Sequence, residues 1–500
     1  MKRLSVFIMM LCLGGMAAAA GKIVYPWNAV TSIVRAGEPF EVWFDAESGQ
    51  GVDSVVLRGP YNSVTIPSEA VSIASGSWEY DPISQNSYNT HIEVTVPPDT
   101  PADRYDLILN TDQGKVVSIS AVRVVSTYKT NYKILHISDN HMAQRVNPEG
   151  LIEAKHTAIV DMANIINPDF VFVTGDVLYW HPDPLRWQKR LDRFYLGNES
   201  HGWKGMHDFN AATFVIAGNH DYKEGAEPRD CCFDAKSEFW NNYHGLQYHT
   251  FTYGNSRFIL LNNGWHRYDW SWQADRAVNW LSEEGSGGNL RIAAAHHPRP
   301  DQMHAFAREN DLGLFLVGHY HHQGDKNPHK LGDKLRMYYA LSIREYLEFN
   351  LLLVDDSTGS YTALGYVNTN DATDGYGLST GSNQVLENNS ERNNPDASVW
   401  VYNLTLDYAY DNDGSVSSNT ATLVNKFDYT IPDARVRFVM PKGSVYNISK
   451  GTVKQSFDGD SFHIVDVSID VDANSTATID ITPSEVSDTL AGACVFGTNS

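Results

Sequence analysis

Cysteine is scarce in this chain, since it accounts for only 4 of 500 residues. A disulfide scaffold needs more cysteine, and a chain of this length can bury a sizeable core without one. Beyond the N-terminal segment three remain, Cys231, Cys232 and Cys494. The sequence leaves three arrangements open, namely a bridge from one of the adjacent pair to Cys494, a vicinal bond, or buried reduced thiols. None of the three indicates a catalytic cysteine.

Positive charge is also in short supply. Lys and Arg together number 38 against 60 Asp and Glu, which gives a formal net charge of −22. A protein that binds a nucleic-acid polymer needs a basic stripe to displace counterions from the phosphates. The composition therefore argues against a nucleic-acid polymer as partner and favours a solvated surface of the extracellular kind.

Long apolar runs are missing after the first twenty residues. The chain begins with Met1-Lys-Arg, continues with an apolar stretch from Leu4 to Leu13, and then has small residues up to Ala20. This pattern is typical of a secretory signal peptide, with cleavage expected after Ala20. The stretch is shorter than the ~20 residues that a bilayer span requires, so we expect no membrane span. The sequence thus predicts an exported protein, either secreted or periplasmic.

No Ser or Cys nucleophile motif stands out, and the candidate chemistry lies in metal ligands instead. Seven such side chains occur in order, each in a short block after an apolar run that we interpret as a strand: Asp139, His141, Asp176, Asn219, His296, His319 and His321. Polar residues at the carboxyl ends of buried strands mark the usual ligand site of α/β sheets. Carboxylate and amide oxygens mixed with imidazoles suit a pair of divalent ions, which favours phosphoester chemistry.

Taken together, the blocks resemble the calcineurin-like metallophosphoesterases, over roughly residues 130 to 368. They read Asp139-x-His, Gly-Asp176, Gly218-Asn-His-Asp, His296-x-Pro and Gly318-His-x-His. A single block is a weak signal, because Gly-Asp alone occurs by chance in most proteins. All five blocks in order, at the usual spacing, are a specific one.

The resemblance implies two metal sites that share one aspartate. The first would consist of Asp139, His141, Asp176 and His321. The second would consist of Asp176, Asn219, His296 and His319. The family pattern favours the histidine two residues before the proline, hence His296, and His297 is the alternative. The cofactors implied are two divalent metal ions, drawn from Mn, Fe, Zn and Co.

The resemblance also implies two catalytic residues that do not bind metal. His220 would contact the phosphoryl oxygens or protonate the leaving group, and Asp221 would hydrogen-bond His220 and fix its tautomer. A metal-bridging hydroxide would attack a phosphomonoester or phosphodiester in line. The expected partner is therefore a small organic phosphate ester.

One feature departs from this pattern. The run Gly175-Asp-Val-Leu-Tyr179 has the spacing of the purple acid phosphatases, in which a tyrosine ligates ferric iron. That subfamily has Asp-x-Gly in the first block, whereas this chain has His141. Since Tyr179 and His141 would compete for one metal, we favour His141 as the ligand and Tyr179 as a wall of the pocket. The prediction is a non-purple enzyme.

The fold class predicted is α/β, a two-sheet αββα metallophosphoesterase sandwich between two β-sandwich-like domains. After the signal peptide at 1–20, residues 21–127 alternate like strands of an immunoglobulin or fibronectin-like β-domain. Residues 128–368 form the predicted catalytic domain. Residues 369–396, rich in Asn, Asp, Gly and Ser, are a predicted linker, and 397–500 a second β-domain.

Two rival interpretations remain open at this point. The same blocks also resemble the class III cyclic-nucleotide phosphodiesterases, which would make the substrate a nucleotide. A different class of protein, a non-catalytic adhesion or carbohydrate-binding β-sandwich, predicts missing ligands, and all seven are present. The sequence does not choose between monoester and diester, and it leaves the metal and the oligomeric state unassigned.

Overall fold

The computed structural model describes most of the chain after residue 20. It covers residues 21–81, 86–142, 150–178, 184–221, 246–263, 270–283, 288–298, 300–319, 336–340, 342–343, 348–364, 378–379 and 403–484. Strands dominate these residues and belong to six sheets. Short 3-10 helices occur at Ser68–Ala70, Glu199–His201 and Met206–Asp208. No helix in the described ranges has the length and apolarity needed to cross a membrane.

The N-terminal sheets occupy the described residues up to 125. Their strands are β1 (Lys22–Tyr25), β2 (Ser32–Arg35), β3 (Pro39–Asp45), β4 (Val52–Arg58), β5 (Ser63–Thr65), β6 (Val71–Asp81), β7 (Asn86–Thr95), β8 (Arg104–Thr111) and β9 (Gly114–Val125). One sheet has the order β1-β3-β7-β6 and the other β2-β9-β8-β4-β5. Alternate side chains of both, such as Val42 and Leu107, enter one buried cluster, because successive side chains of a strand point to opposite faces. The immunoglobulin or fibronectin type stays a prediction.

The described residues of the central region form two further sheets and four α-helices. Its strands are β10 (Asn131–Ile137), β11 (Phe170–Val173), β12 (Ala212–Val215), β13 (His249–Tyr253), β14 (Ser256–Leu260), β15 (Leu290–Ala294), β16 (Leu314–Val317), β17 (Arg336–Tyr339), β18 (Glu348–Asp355), β19 (Ser360–Leu364) and β20 (Leu378–Ser379). Its helices are α1 (Leu151–Ile166), α2 (Pro184–Leu196), α3 (Trp270–Glu283) and α4 (Pro300–Glu309). The sheet orders are β12-β11-β10-β18-β19, with β20 on β18, and β13-β14-β15-β16-β17.

The two central sheets pack face to face through aromatic side chains. The ring of Phe258 in the second sheet lies 5.0 Å from Phe170 and 5.9 Å from Phe172 in the first. On its other face the second sheet packs against α3 and α4, through residues such as Phe306 and Phe315. Because α1 connects the parallel strands β10 and β11, it covers the outer face of the first sheet. The predicted mixed α/β, sheet-rich fold is confirmed.

The C-terminal strands make two more sheets. They are β21 (Leu404–Tyr408), β22 (Asn419–Asn425), β23 (Ile431–Met440), β24 (Tyr446–Ile448), β25 (Thr452–Asp458), β26 (His463–Val471) and β27 (Ser475–Pro483). Their orders are β21-β22-β27-β24 and β23-β26-β25. The predicted linker at 369–396 lies outside the described residues except for β20, which pairs with β18 and so belongs to the central sheet.

Buried cations join the three regions. Arg104 of the N-terminal sheets donates hydrogen bonds to the carbonyls of Met206 and Phe209 in the central region. Arg437 of the C-terminal sheets pairs with Asp103 of the N-terminal sheets at 2.6 Å. A buried charge is stable only where partners compensate its lost hydration, so these contacts depend on the regions keeping their arrangement.

Lys133 on β10 gives a prediction about pH. Its ammonium group donates to the carbonyls of Ile166 in the central region and of Pro432 and Asp433 in the C-terminal sheets. Burial lowers the pKa of Lys133 from 10.5 to about 8. Between these two values the unfolded chain binds more protons than the folded chain, so the contribution of Lys133 to stability rises with pH. We expect the free energy of unfolding of the parent chain, relative to Lys133→Met, to increase from pH 8 towards pH 10.5.

Chemical denaturation of both proteins across that range measures this difference. A difference that is flat with pH, or that falls, would contradict the prediction. The comparison with Lys133→Met removes the titration of all other groups, because both chains share them.

Candidate metal centre

The candidate ligands lie where strands of the two central sheets end. Asp139 follows β10, Asp176 follows β11 and Asn219 follows β12, in the first sheet; His296 follows β15 and His319 follows β16, in the second. Within each set the strands are parallel, so their carboxyl ends meet at one edge. The two edges adjoin, since His296 Nε2 lies 3.1 Å from Asn219 Oδ1. The structure therefore brings together residues that are up to 180 positions apart.

Several of these residues have a left-handed backbone. The φ angle is 55° at Asp139, 48° at His141, 52° at Asp176 and 74° at His319. Positive φ costs free energy for residues with a side chain, and such positions cluster at functional sites. Four candidate ligands in this conformation therefore support a functional role for the turns that carry them.

Glycines let these turns approach one another. A Cβ atom at Gly218 would lie 2.2 Å from both the amide nitrogen and Oδ1 of Asp176. A Cβ atom at Gly318 would lie 2.0 Å from Ser138 Oγ. Neither position has room for a side chain, which explains the glycine in the blocks around Asn219 and His319.

Gly218→Ala is expected to disturb the site without removing any ligand. The new methyl group would push Asp176 aside, so we expect metal affinity to fall by about tenfold or more. Gly51→Ala is the control, because a Cβ atom there would approach only Asp112 Oδ2, at 3.9 Å. Metal analysis of both purified variants checks the expectation. Full metal content in Gly218→Ala would contradict it.

The first ligand group is fully buried and consists of Asp139, His141 and Asp176. Their ligand atoms all lie within 4.8 Å of one another. His141 Nε2 is 3.7 Å from Asp139 Oδ1 and 3.7 Å from Asp176 Oδ2. One imidazole between two carboxylates is a donor set that suits a divalent transition metal.

The second group contains His296, His297 and His319, again with ligand atoms within 4.8 Å. Asn219 Oδ1 lies 3.1 Å from both His296 Nε2 and His319 Nδ1. His296 Nε2 is also 3.3 Å from Asp176 Oδ1. The ring of His297 instead lies tilted against that of His319, with ring centroids 3.8 Å apart. At the ambiguous fourth block, His296 is thus the residue in contact with the shared aspartate.

Hydrogen bonds orient His296. Its Nδ1 donates to the carbonyl of Thr174 at 2.6 Å, because a carbonyl oxygen can only accept. This bond fixes the orientation of the ring and leaves Nε2 facing Asp176 and Asn219, where it can ligate a cation once it has lost its proton. Asn263 Oδ1 accepts from the amides of both His296 and His297, at 3.0 and 2.8 Å, and holds the turn.

Asp176 lies between the two groups. Its Oδ1 faces His296 and its Oδ2 faces His141. Oδ2 is buried and accepts no hydrogen bond from the described residues. Burial alone would raise the pKa of Asp176, but His296, His141 and His220 outweigh it and hold the pKa well below its usual range. In turn Asp176 raises the pKa of His296 to about 9 against the effect of burial. The pocket thus attracts positive charge.

The sequence profile of the calcineurin-like phosphoesterases matches residues 132–323, which include every candidate ligand. Residues 132–323 form a calcineurin-like phosphoesterase domain. The predicted family resemblance is therefore confirmed. Members of this family typically bind divalent metals, and the two groups in the phosphoesterase domain are candidate ligands for them.

Solved structures similar to this chain include a novel phosphatase from Mycoplasma pneumoniae, at 12% identity. The match covers 47% of this chain and 92% of the phosphatase, with a TM-score of 0.27. A hypothetical protein from Thermus thermophilus matches at 13% identity over 46% of this chain and 97% of its own, with a TM-score of 0.25. Scores this low do not bear on fold or function. A comparison with curated proteins found no match.

His220 lies at the edge of the site of the phosphoesterase domain. Its amide donates to Asp176 Oδ1 at 2.8 Å, and its Nε2 is 3.9 Å from Asp176 Oδ2. The side chain is 34% exposed, whereas those of His141 and His296 are fully buried. Its position beside the shared aspartate, open to solvent, suits contact with a bound substrate.

Asp221 differs from the expectation. Its carboxylate accepts hydrogen bonds from the amides of Leu178 and Gly218, at 2.9 and 2.8 Å, and none from His220. The turn that begins at Gly218 brings the side chain back onto its own backbone. Burial and the neighbouring Asp176 raise the pKa of Asp221 to about 8, although the two amides oppose this. Asp221 therefore holds the Gly218 turn against the strand end at Leu178.

Some predicted residues lie outside the described ranges. These are His321, which is the fourth ligand expected for the first metal, Tyr179, and the three cysteines Cys231, Cys232 and Cys494. Asn263 and Thr174 are contributors that sequence reasoning missed. Asn263 follows the apolar run of β14. A polar amide just after a buried strand is a pattern from which its place in the site could have been predicted. Thr174 acts through its backbone carbonyl. Because every residue has one, the sequence gives no signal for this contact.

Proposed function

We propose that this protein is an exported, binuclear metal-dependent phosphoesterase that hydrolyses small phosphomonoesters or phosphodiesters. The observation that carries the proposal is Asp176, whose two carboxylate oxygens face two different ligand groups. A carboxylate in this position suits two cations at the roughly 3.5–4 Å spacing of two-metal sites. The phosphoesterase domain match supports the reaction class.

Each side chain has a separate task in this proposal. Two bound divalent ions would supply Lewis-acid charge and a nucleophile active near neutral pH. Asp139, His141 and Asp176 would hold one ion, with His321 as the predicted fourth ligand. Asp176, Asn219, His296 and His319 would hold the other. The Thr174 carbonyl keeps the ring of His296 in the orientation that can ligate.

His220 would act on the substrate rather than on the metals. Its imidazole is part exposed beside Asp176, and Asp176 anchors its backbone amide. From this place it would donate a hydrogen bond to a phosphoryl oxygen or a proton to the leaving group. Asp139, His141, Asp176 and His296 are buried, whereas Asn219 and His319 are partly exposed like His220, so the substrate would approach from the side of these three residues.

The test is hydrolysis of bis-p-nitrophenyl phosphate against p-nitrophenyl phosphate. Protein stripped of metal and reloaded with Mn or Zn should recover turnover, with two ions bound per chain. The ratio of the two rates then assigns diester or monoester preference. Equal turnover with and without metal, or one ion per chain, would contradict the binuclear proposal.

Export is supported by the composition of residues 1–20. We expect the mature protein, recovered from the periplasm or the medium of a host that secretes it, to begin at Gly21. N-terminal sequencing of that protein measures this. Recovery of a chain that still begins at Met1 in the cytoplasm would contradict export and leave the proposed chemistry untouched.

A further inference from the structure

A buried histidine that the proposed reaction does not use, His136, lies in the gap between the two central sheets. It is fully buried on β10 and stands in register with Phe172 on β11 and Asn350 on β18. Register partners project from the same face of a sheet, and the ring of Phe172 packs on Phe258 of the second sheet. His136 therefore faces the second sheet, inside an aromatic layer where a polar ring needs hydrogen bonds to replace its lost hydration.

Both ring nitrogens of His136 have hydrogen-bond partners. Its Nδ1 lies 3.2 Å from Asn350 Nδ2, and it accepts there because an amide NH2 group only donates. Burial lowers the pKa of His136 to about 3, so the ring is neutral and carries its single proton on Nε2. That proton is donated to Thr174 Oγ1, at 2.9 Å. The bonds thus run in one direction, from β18 through β10 to the residue that follows β11.

Thr174 is held by three consecutive residues at the end of β10. Its hydroxyl accepts from His136, its amide donates to the carbonyl of Ile137 at 3.0 Å, and its carbonyl accepts from Ser138 Oγ at 2.9 Å. The same carbonyl accepts the bond from His296 Nδ1, at 2.6 Å. A ligand of the second sheet is therefore oriented by a residue of the first, and the conformation of Thr174 decides where its ring lies.

Packing alone does not account for this arrangement. Replacing two buried hydrogen-bonded groups by apolar groups of the same shape is close to neutral for stability. Leucine in place of His136 would fill the aromatic layer without the cost of burying a polar ring. The histidine adds direction, because Thr174 is β-branched and its hydroxyl and methyl groups exchange places between rotamers. The bond from His136 selects the rotamer with Oγ1 towards β10 and so fixes the residue that carries the carbonyl.

We propose that His136 is a positioning residue of the second ligand group. Through Thr174 it holds the ring of His296 with Nε2 towards Asp176 and Asn219. The consequence for metal binding rests on the proposed function, whereas the effect on the ring of His296 is a property of the chain itself. Of the two ions in that proposed function, the one held by His296 would depend on His136.

The first measurement follows the ring of His296 in metal-free protein. NMR of the full chain with 15N-labelled histidine reports the ring N–H protons, and the His296 signal is the one lost in His296→Asn. A proton held in a short buried hydrogen bond exchanges slowly with water. In Thr174→Val and in His136→Leu we expect the Nδ1 proton of His296 to exchange at least about tenfold faster. Thr174→Val keeps the shape of the side chain, so the test does not depend on the folding of His136→Leu.

Three further variants separate positioning from packing. His136→Gln retains an amide N–H near the place of Nε2, so it should restore slow exchange. The double variant with both His136→Leu and Thr174→Val should be no worse than either single variant, because both remove the same bond. Thr100→Val is the control, since Thr100 is a buried threonine of the N-terminal region whose hydroxyl has no hydrogen-bond partner among the described residues. It should leave the exchange rate unchanged.

The second measurement is a calorimetric titration of the metal-stripped proteins with Zn²⁺. In His136→Leu and Thr174→Val we expect the dissociation constant of the ion bound by His296 to rise by about tenfold. The other ion should keep its affinity within about threefold. Asn219→Ala identifies the ion bound by His296, because Asn219 belongs to the proposed ligand set of that ion alone.

The outcomes distinguish this inference from the proposed function. Faster exchange of the His296 proton in a chain that binds no Zn²⁺ would support the positioning role and contradict the binuclear site. The positioning role is overturned if that proton exchanges in both variants as in the parent, or if His136→Gln behaves as His136→Leu does. It is also overturned if both ions are weakened equally, since that result indicates a general loss of packing.

Discussion

Asp176→Asn is expected to lower phosphoesterase turnover by about 10²–10³-fold or more. The substitution keeps the shape of the side chain but replaces one carboxylate oxygen by an amide NH2 group, whose nitrogen cannot ligate a cation. Because Asp176 faces both ligand groups, the loss affects both metal sites at once. Turnover of the two p-nitrophenyl substrates and metal content per chain measure the effect.

Asp311→Asn is the matched control for this variant. Asp311 lies in the same domain and has a left-handed backbone with φ 50°, close to the 52° of Asp176, but it is exposed. We expect parent turnover and full metal content, since an exposed aspartate with no ligand role contributes neither. Equal turnover in Asp176→Asn and Asp311→Asn would show that the proposed site does no chemistry.

Arg104→Met is expected to lower the free energy of unfolding by about 3–5 kcal/mol, because several buried acceptors would lose their donor at about 1–3 kcal/mol each. The guanidinium of Arg104 donates hydrogen bonds to the side chain of Asn28, the hydroxyl of Thr213 and the carbonyls of Ser120, Met206 and Phe209. Methionine replaces none of these bonds. The buried acceptors would remain without a donor. Urea denaturation followed by fluorescence and circular dichroism measures the change.

Arg58→Met provides the comparison from the same sheet. Arg58 pairs with Asp106 at 2.8 Å, but its side chain is 53% exposed. An exposed pair of this kind contributes about 0–1 kcal/mol. Comparing the two variants therefore separates the effect of burial on the free energy of unfolding from the effect of charge. A loss in Arg104→Met as small as that in Arg58→Met would show that the contacts between regions contribute little to stability.

Much of the fold was predictable because strand patterns repeat locally. The apolar runs before Asp139, Asp176 and His296 became β10, β11 and β15, since a run that is buried on both faces has few alternatives to a parallel strand. α2, by contrast, was missed, because the many charged residues of Pro184–Leu196 obscure the apolar stripe formed by Trp187, Leu191 and Phe194. β20 was missed for a different reason, since a two-residue strand has no pattern of its own.

The candidate site was predictable in composition but not in all its contacts. Side chains such as Asp139 and His319 appear in the sequence as motif residues, and the structure brings them together. Contacts made through the backbone have no such signature, and the Thr174 carbonyl on His296 is the clearest case. The two backbone partners of Asp221 were not predicted, because the direction of a tight turn depends on packing between distant strands.

The residues of the two ligand groups come from both central sheets. The aromatic contacts of Phe170, Phe172 and Phe258 set the distance between those sheets. Asn219 belongs to one sheet, and His296 and His319 belong to the other. The spacing of any ions held there is consequently a property of the hydrophobic interior. Side-chain volume deep in the protein and the geometry of the ligand groups are thereby linked, and a methylene gained or lost in the core would shift those groups relative to each other.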